Sequence, residues 1–481
     1  MTAEEYAQLA AECDRLLRAP DTSLARLAIP ALHLIYEHPG FLSQYEQTAT
    51  AELTHLPRAA LRLARGLGRS IAAHRPATPR PADILIVSHL SNPTQLDEPD
   101  DFYFGALQRL LRERGVSSLL VLINHLPGGP TMRPPVHAEP RMILPRAVAP
   151  ATELQIWRQC ISAATALKQE SFDVAHLASR QALSAGTTCN LRMHAALSSL
   201  CSAINPRLVI TTYEGDAGER VIWHAARTAQ RRPVCVGYQH ARILKHAHAI
   251  RRRVAAPGLD CDPDVILTLG EVPHKILASS PELSETRLIE YGSHRTALPP
   301  SVRFPRPEER SRQCVVLPDA DDRECASLFG FAVATASQRP DIRFVLRPHP
   351  IVDTQSLVKR HKMLQSLPDN VTLSSDTPLT EDLSRARYCL YRSSSAAMQA
   401  VLAGVKPFYL ARPGELPIDP LFELTSWRET VTSPAELNAR ISAAESAPDP
   451  EAAASAVNLY QSYASPVRPA AIDELLSMVT R

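Results

Sequence analysis

Ile342–Pro350 reads IRFVLRPHP and Tyr388–Gly404 reads YCLYRSSSAAMQAVLAG, and these two stretches decide the fold. Each begins with a short apolar run of strand character. The first ends in the turn Arg347-Pro348-His349-Pro350; the second opens, 44 residues after His349, into Ser393-Ser394-Ser395 and a helical pattern. In an alternating α/β chain both polar clusters fall at the C-terminal ends of parallel strands, where open sheets bind ligands. Hydroxyls at a helix start suit an anion, because free N–H groups and the helix dipole point the same way. Arg347 and His349 aimed at that point predict a phosphate site. Singly, each feature also has a structural reading, Arg347 as an ion-pair residue and the serines as caps.

Outward from this pair the same alternation recurs. Strands are predicted at 83–89, 118–124, 207–213, 233–238, 265–269 and 287–291, with helices at 102–114 and, as one long element, about 152–200. A Pro-rich stretch at 298–307 (LPPSVRFPRP) reads as a linker. A second unit follows with strands at 314–317, 342–346, 371, 388–391 and 408, and a helix at 324–337. Strands alternating with helices imply parallel sheets. The expected organisation is a helical N-terminal extension (1–75), a Rossmann-like domain (76–297), a second one (308–450) and a C-terminal helical segment (451–481). Two such domains make a cleft between them.

Composition excludes several classes. The 481 residues, 45% apolar, suffice for two or three cores, and a net charge of +2 gives no global field for nucleic acid. Of 52 basic residues only six are lysine, a compositional bias rather than a binding signature. Nine scattered cysteines without a C-x-x-C pattern predict reduced thiols. The N-terminus lacks a signal-peptide pattern and no apolar run approaches the ~18 residues of a membrane span. A cytoplasmic protein is expected, with peripheral contact at the inner membrane face still open.

The first domain offers its own strand-end clusters. Tyr213-Glu214-Gly215-Asp216 lies where a strand gives way to a helix. Asp216 and Glu219 have capping-box spacing. Glu214 is not needed for the cap and stands beside a glycine that permits close backbone approach. It is therefore the candidate for general base, while Asp216 reads as the cap. Gly237-Tyr238-Gln239-His240 ends the next strand, and Tyr238, Gln239 and His240 are read as donor-side residues. A basic run follows (Arg242, Lys245, His246, His248, Arg251, Arg252, Arg253), either a solvated loop or a surface for an anionic acceptor or lipid phosphate. His89, Ser91 and Asp101 mark an acceptor-side loop. Asp319, Asp321 and Asp322 mimic a D-x-D metal site, but turn and cap chemistry explains them without a metal.

The order of an acidic-glycine turn, a His-Pro turn and a serine cluster resembles bacterial sialyltransferases and polysialyltransferases, which use CMP-activated sugars on a GT-B architecture. The whole pattern is similar to the surface carbohydrate biosynthesis proteins thought to transfer nonulosonic acids. It rests on TTYEGDAGERVIWHA, VGYQHA, VVLPDADDRECASLF, VLRPHP, YRSSSAAMQAVLAGVKPFYL and PGELPIDPLFEL, between about Ser88 and Leu424. The resemblance implies that His349 and Ser393 to Ser395 bind the donor phosphate and that Glu214 or Asp216 is the base. That family carries two adjacent acidic residues before the glycine, whereas here the glycine separates them. It further implies a metal-independent transferase with no cofactor beyond its CMP-sugar substrate, acting on a glycan, lipid-linked or protein acceptor. CMP-Kdo transfer, CDP-polyol phosphotransfer, UDP-sugar epimerisation and a non-catalytic nucleotide-sugar-binding role are the competing readings.

Overall fold

The computed structural model describes residues 1–35, 37, 39–46, 55–72, 81–126, 137–294, 304–350, 352–374 and 377–478. Seven strands form the first sheet: β1 (Ile84–Leu90), β2 (Ser118–Asn124), β3 (Arg141–Ile143), β4 (Leu208–Thr212), β5 (Val234–Tyr238), β6 (Val265–Thr268) and β7 (Arg287–Glu290). Six form the second: β8 (Gln313–Leu317), β9 (Arg343–Leu346), β10 (Val371–Leu373), β11 (Tyr388–Tyr391), β12 (Lys406–Leu410) and β13 (Glu429–Val431). Their orders are β3-β2-β1-β4-β5-β6-β7 and β10-β9-β8-β11-β12-β13, and every pairing is parallel. β2, β4, β8 and β11 are buried along their whole length, as parallel strands covered by helices on both faces must be. These are two Rossmann-like, doubly wound domains facing one cleft, the GT-B arrangement.

In each sheet the winding reverses once, between β1 and β4 and between β8 and β11. Crevices open at such switch points, outside the carboxyl ends of the strands. The register sets which residues meet there. Thr212 pairs with Tyr238, so Glu214 and His240 leave neighbouring strands at the same level. Leu317 pairs with Tyr391 and Val316 with Leu346, so Asp319, Ser393 and His349 emerge side by side from β8, β11 and β9.

Three differences from the sequence reading have local causes. The long helix expected at 152–200 is three helices, Pro150–Leu167, Asp173–Ala182 and Ala185–Ile204. The last starts where the Ser184 side chain accepts from the Thr187 N–H. β3 and β13 escaped notice because each is a three-residue edge strand that opens on a charged side chain (RMI and ETV) and so shows no apolar run. The terminal helix is two, Pro450–Gln461 and Pro469–Ser477, separated by a segment that includes Pro466. Most of the expected linker, residues 298–303, lies outside the described residues.

Neither end of the chain is an appendage. The helix Ala3–Leu17 is closed by a Thr2–Glu5 capping box and buries Tyr6, Leu9, Cys13, Leu16 and Leu17. Asp14 binds Arg252 and lies 3.1 Å from His248 Nε2, fixing this helix to the first domain. At the other end, Ser293 and Arg468 donate to Ser465 and Tyr291 at 2.7 and 2.8 Å, returning the chain to the edge of the first sheet. The helix Pro450–Gln461 also packs on Ala396–Leu402, so this segment ties the domains together. All nine cysteines are free thiols. Among the described residues no helix is long and apolar enough to cross a membrane.

Candidate functional site

A cavity of about 380 Å³ occupies the cleft where the two switch points face one another. The first domain supplies Glu214, Arg242 and Ile250; the second supplies Asp319, Asp321, Ser393 and Ile418. Arg242 and Asp319 form an ion pair at 3.3 Å across the domain boundary. The third wall was not legible in the sequence: Ile35, Glu37 and Phe41 come from the N-terminal helical region.

The turn holding Glu214 is built by one side chain. Glu219 accepts the N–H groups of Glu214, Gly215 and Asp216 at 2.7–3.0 Å, while Asp216 Oδ1 caps the helix Ala217–Ala226 by accepting the Glu219 N–H at 2.7 Å. Gly215 has φ +88°, and a Cβ there would lie 2.3 Å from the Ala249 carbonyl oxygen, so only glycine fits. The two carboxyls are thereby separated in role. Asp216 is engaged in the cap, and Glu214 remains at the cavity, half-buried, 3.5 Å from His240 Nε2. Burial, reinforced by Asp216 and opposed by Arg242, raises the Glu214 carboxyl to about 7. Glu37, 4% exposed and accepting the Tyr6 hydroxyl at 3.0 Å, is raised to about 7 by the same desolvation.

On the second domain Ser393 and Ser394 are buried and Ser395 is exposed at the start of the helix Ala396–Leu402. Ser393 Oγ has no hydrogen-bond partner among the described residues, although it lines the cavity. An unsatisfied buried hydroxyl is costly, of order 1–3 kcal/mol, and in a cavity it is an open donor for a ligand. The buried Arg392, absent from the sequence reading, sets this turn by pairing with Glu324 at 2.7 Å and with Glu415. His349 is half-buried and held below the usual imidazole range by desolvation, with Asp319 opposing and Arg242 adding to the effect. Both neighbours place it beside the interdomain ion pair.

Several expected site residues are engaged elsewhere. Arg347 donates to Asp382 at 2.6 Å and to Ser374 at 3.4 Å, so its guanidinium belongs to that ion pair rather than to the serine cluster. Tyr238 is buried against Phe104 and Tyr291 and donates to the Gly292 carbonyl at 3.2 Å. Gln239 is fully buried and holds the Leu269 N–H at 3.1 Å and the Ala241 carbonyl. Both shape the β5 turn and neither presents a group to the cavity. Asp101 accepts from Ser88 Oγ and from the Tyr103 and Phe104 N–H groups at 2.8–2.9 Å, which fixes a turn. Ser91 is exposed and its N–H is held by Gln95. His89 sits in a histidine cluster, 2.9 Å from His125 and 3.0 Å from Thr212, and burial with those imidazole neighbours lowers it to about 3. Tyr103 packs edge-on to both His89 and His240, linking that cluster to Glu214.

The basic run is likewise internal in part. Arg252 is buried on Asp14, and Arg251 donates to Leu244. Arg242 is the member that faces the cavity. Asp321 caps the helix Asp322–Ala336, and Asp322 pairs with Arg360 at 2.6 Å, so the D-x-D lookalike is cap and ion-pair chemistry. Among the described residues no three His, Cys, Asp or Glu side chains form a metal-binding group.

No protein-family model matches the chain, and no curated protein does. Solved structures do align with it. The glycotransferase of kitacinnamycin is 16% identical, with TM-score 0.48 over 83% of this chain and 100% of that one. SnogD, a glycosyltransferase from Streptomyces nogalater, is 15% identical, with TM-score 0.44 over 83% and 100%. A UDP-GlcNAc 2-epimerase from Neisseria meningitidis bound to UDP-GlcNAc is 11% identical, with TM-score 0.44 over 83% and 100%. At such identities and scores these likenesses carry no assignment of substrate.

Proposed function

We propose that the chain is a glycosyltransferase that moves a nonulosonic acid of sialic, legionaminic or pseudaminic type from a CMP-activated donor to a glycan, lipid-linked or protein acceptor, without a metal ion. One observation carries the reading: the Glu214 carboxyl and the Ser393 hydroxyl, which has no hydrogen-bond partner among the described residues, line a single cavity from opposite domains. A base on one side and an anion-binding hydroxyl on the other is what transfer from a nucleotide sugar requires.

In this reading the donor phosphate sits over Ser393 to Ser395, accepting a hydrogen bond from Ser393 Oγ, with Arg242 and His349 adjoining it. Arg242 takes the part that Arg347 was expected to play. A bound phosphate favours the protonated form of His349 and so offsets the desolvation that lowers it. Glu214 takes the proton of an acceptor hydroxyl, whose oxygen attacks the anomeric carbon. The bond from that carbon to the phosphate oxygen breaks, and CMP departs with the electron pair through an oxocarbenium-like state. CMP leaves with less total negative charge than a nucleoside diphosphate, so side chains suffice to stabilise it. A single displacement inverts the anomeric configuration.

Glu214→Gln tests the division of labour. It should keep CMP affinity while lowering turnover about 10³-fold, within the range a lost general base costs. His349→Ala should instead weaken CMP itself. Unchanged turnover in the first variant, or unchanged CMP affinity in the second, removes the corresponding role.

A second reading has one specific observation in its favour. Epimerisation of a UDP-sugar needs more than one acid–base group around the sugar, and Glu37 is a second carboxyl on the same cavity. Incubation with UDP-sugars in deuterated water would separate the two, since epimerisation through proton abstraction leaves deuterium on the sugar.

A further inference from the structure

The helix His55–Ala72, HLPRAALRLARGLGRSIA, contains four arginines and no acidic residue. Its inward side is fixed by two observations. A Cβ on Gly66 would fall 2.2 Å from Glu153 Oε1, so the helix seats closely on Pro150–Leu167 there, and Arg62 donates to the Leu183 carbonyl at 2.7 Å. Leu61, Ala64, Gly68 and Ile71, spaced three and four apart, are exposed along another side, with the exposed Arg65 and Arg69 beside them. Ile71 is 78% exposed and Leu61 50%. The partner helix continues the pattern: Leu154 and Ile161 are exposed on it, with the exposed Arg158 between them in sequence.

Four of the six large apolar side chains that are exposed among the described residues therefore lie on these two packed helices. Single exposed apolar residues need no explanation, but the gathering of most of them on two packed helices does. Among the described residues, the exposed charged side chains beside these apolar ones on the two helices are Arg65, Arg69 and Arg158. Glu153, the acidic residue of the second helix, is engaged by Arg192 at 2.8 Å, and Glu170 and Asp173 lie past that helix's C-terminal end. We propose that this face docks the protein on an anionic lipid bilayer. A helix with an apolar line flanked by arginines lies in the headgroup plane, its apolar side chains below and its guanidinium groups among the phosphates. The contact proposed is a peripheral one, at the level of the headgroups. A uniformly negative bilayer complements these three arginines. The basic run at 242–253, for which a lipid-phosphate surface was one of the open readings, is engaged internally in part, with Arg252 on Asp14 and Arg251 on Leu244. The inference does not depend on the donor or the reaction.

Co-sedimentation of the full chain with vesicles tests it. The protein should pellet with phosphatidylcholine–phosphatidylglycerol vesicles, remain in the supernatant with phosphatidylcholine alone, and be released by high salt. Leu61→Glu with Ile71→Glu should abolish pelleting, and Arg65→Glu with Arg69→Glu should weaken it about ten-fold or more. All four residues are exposed, so unchanged melting temperatures establish that the variants are folded. Failure of the wild type to pellet, or full binding by either variant, overturns the proposal. So does a dimer in solution that Leu61→Glu with Ile71→Glu dissociates, which would make this face a contact between two copies.

Discussion

Glu214 and Glu37 are two carboxyls of one cavity that titrate near neutrality, and they have opposite consequences for pH. As a base Glu214 acts only when ionised. Turnover should thus rise about ten-fold per unit below about pH 7 and level off above it. A pH–rate profile flat from 5 to 8 would contradict the assignment. Glu37 shows itself in stability. Its folded value lies above the unfolded one, so the fold binds the proton more tightly, and its favourable contribution is lost as pH rises from about 4.5 through about 7. Glu37→Gln keeps an acceptor for Tyr6 but cannot ionise. Its melting temperature relative to wild type should climb across that window, by the equivalent of at most about 3 kcal/mol. The place of Glu214 at the cavity was legible because a glutamate beside a glycine at a strand end is not needed for the cap. Arg347, Tyr238 and Gln239 occupy equally promising strand ends, but their partners Asp382, Gly292 and Leu269 are remote in sequence. Nothing local reveals such pairings.

At the scale of elements, the turn between β4 and the helix Ala217–Ala226 carries the proposed base, Glu214, and Gly215 decides whether it forms. Gly215→Ala would force a side chain into a positive-φ position and against the Ala249 backbone. The expected cost is about 1–3 kcal/mol, with a fall in turnover larger than loss of folded protein explains. Thermal melting alongside kinetics at a temperature where the variant is folded measures both. The pair Arg220–Asp262 anchors the loop that packs against this turn, with Asp262 also accepting the Val254 and Ala255 N–H groups at 2.8 Å. Asp262→Ala would leave a buried guanidinium unpaired and should cost about 3–5 kcal/mol by denaturant titration. Most strands were legible because fully buried parallel strands appear as continuous apolar runs. The helix breaks between 167 and 185 were not, since helical periodicity runs on in both directions and only the Ser184 cap interrupts it locally.

For the molecule as a whole, the candidate site is three-walled. The two Rossmann-like domains were expected to form a cleft, and their switch points do face a common cavity. The N-terminal region was expected to be helical, but its place as a wall of that cavity depends on long-range contacts such as Tyr6–Glu37 and Asp14–Arg252 that no periodicity encodes. Because the proposed chemistry relies on Ser393, Arg242 and His349 to receive the leaving phosphate, transfer activity should survive EDTA. A large loss on chelation would point to a diphosphate donor. The identity of the nucleotide is the claim on which the rest depends, and thermal melting of the purified protein with CMP, CDP, UMP and UDP tests it most directly. A ligand that binds only the folded state raises the melting temperature by mass action. The account predicts selective stabilisation by CMP; selective stabilisation by UDP, with none by CMP, would contradict it.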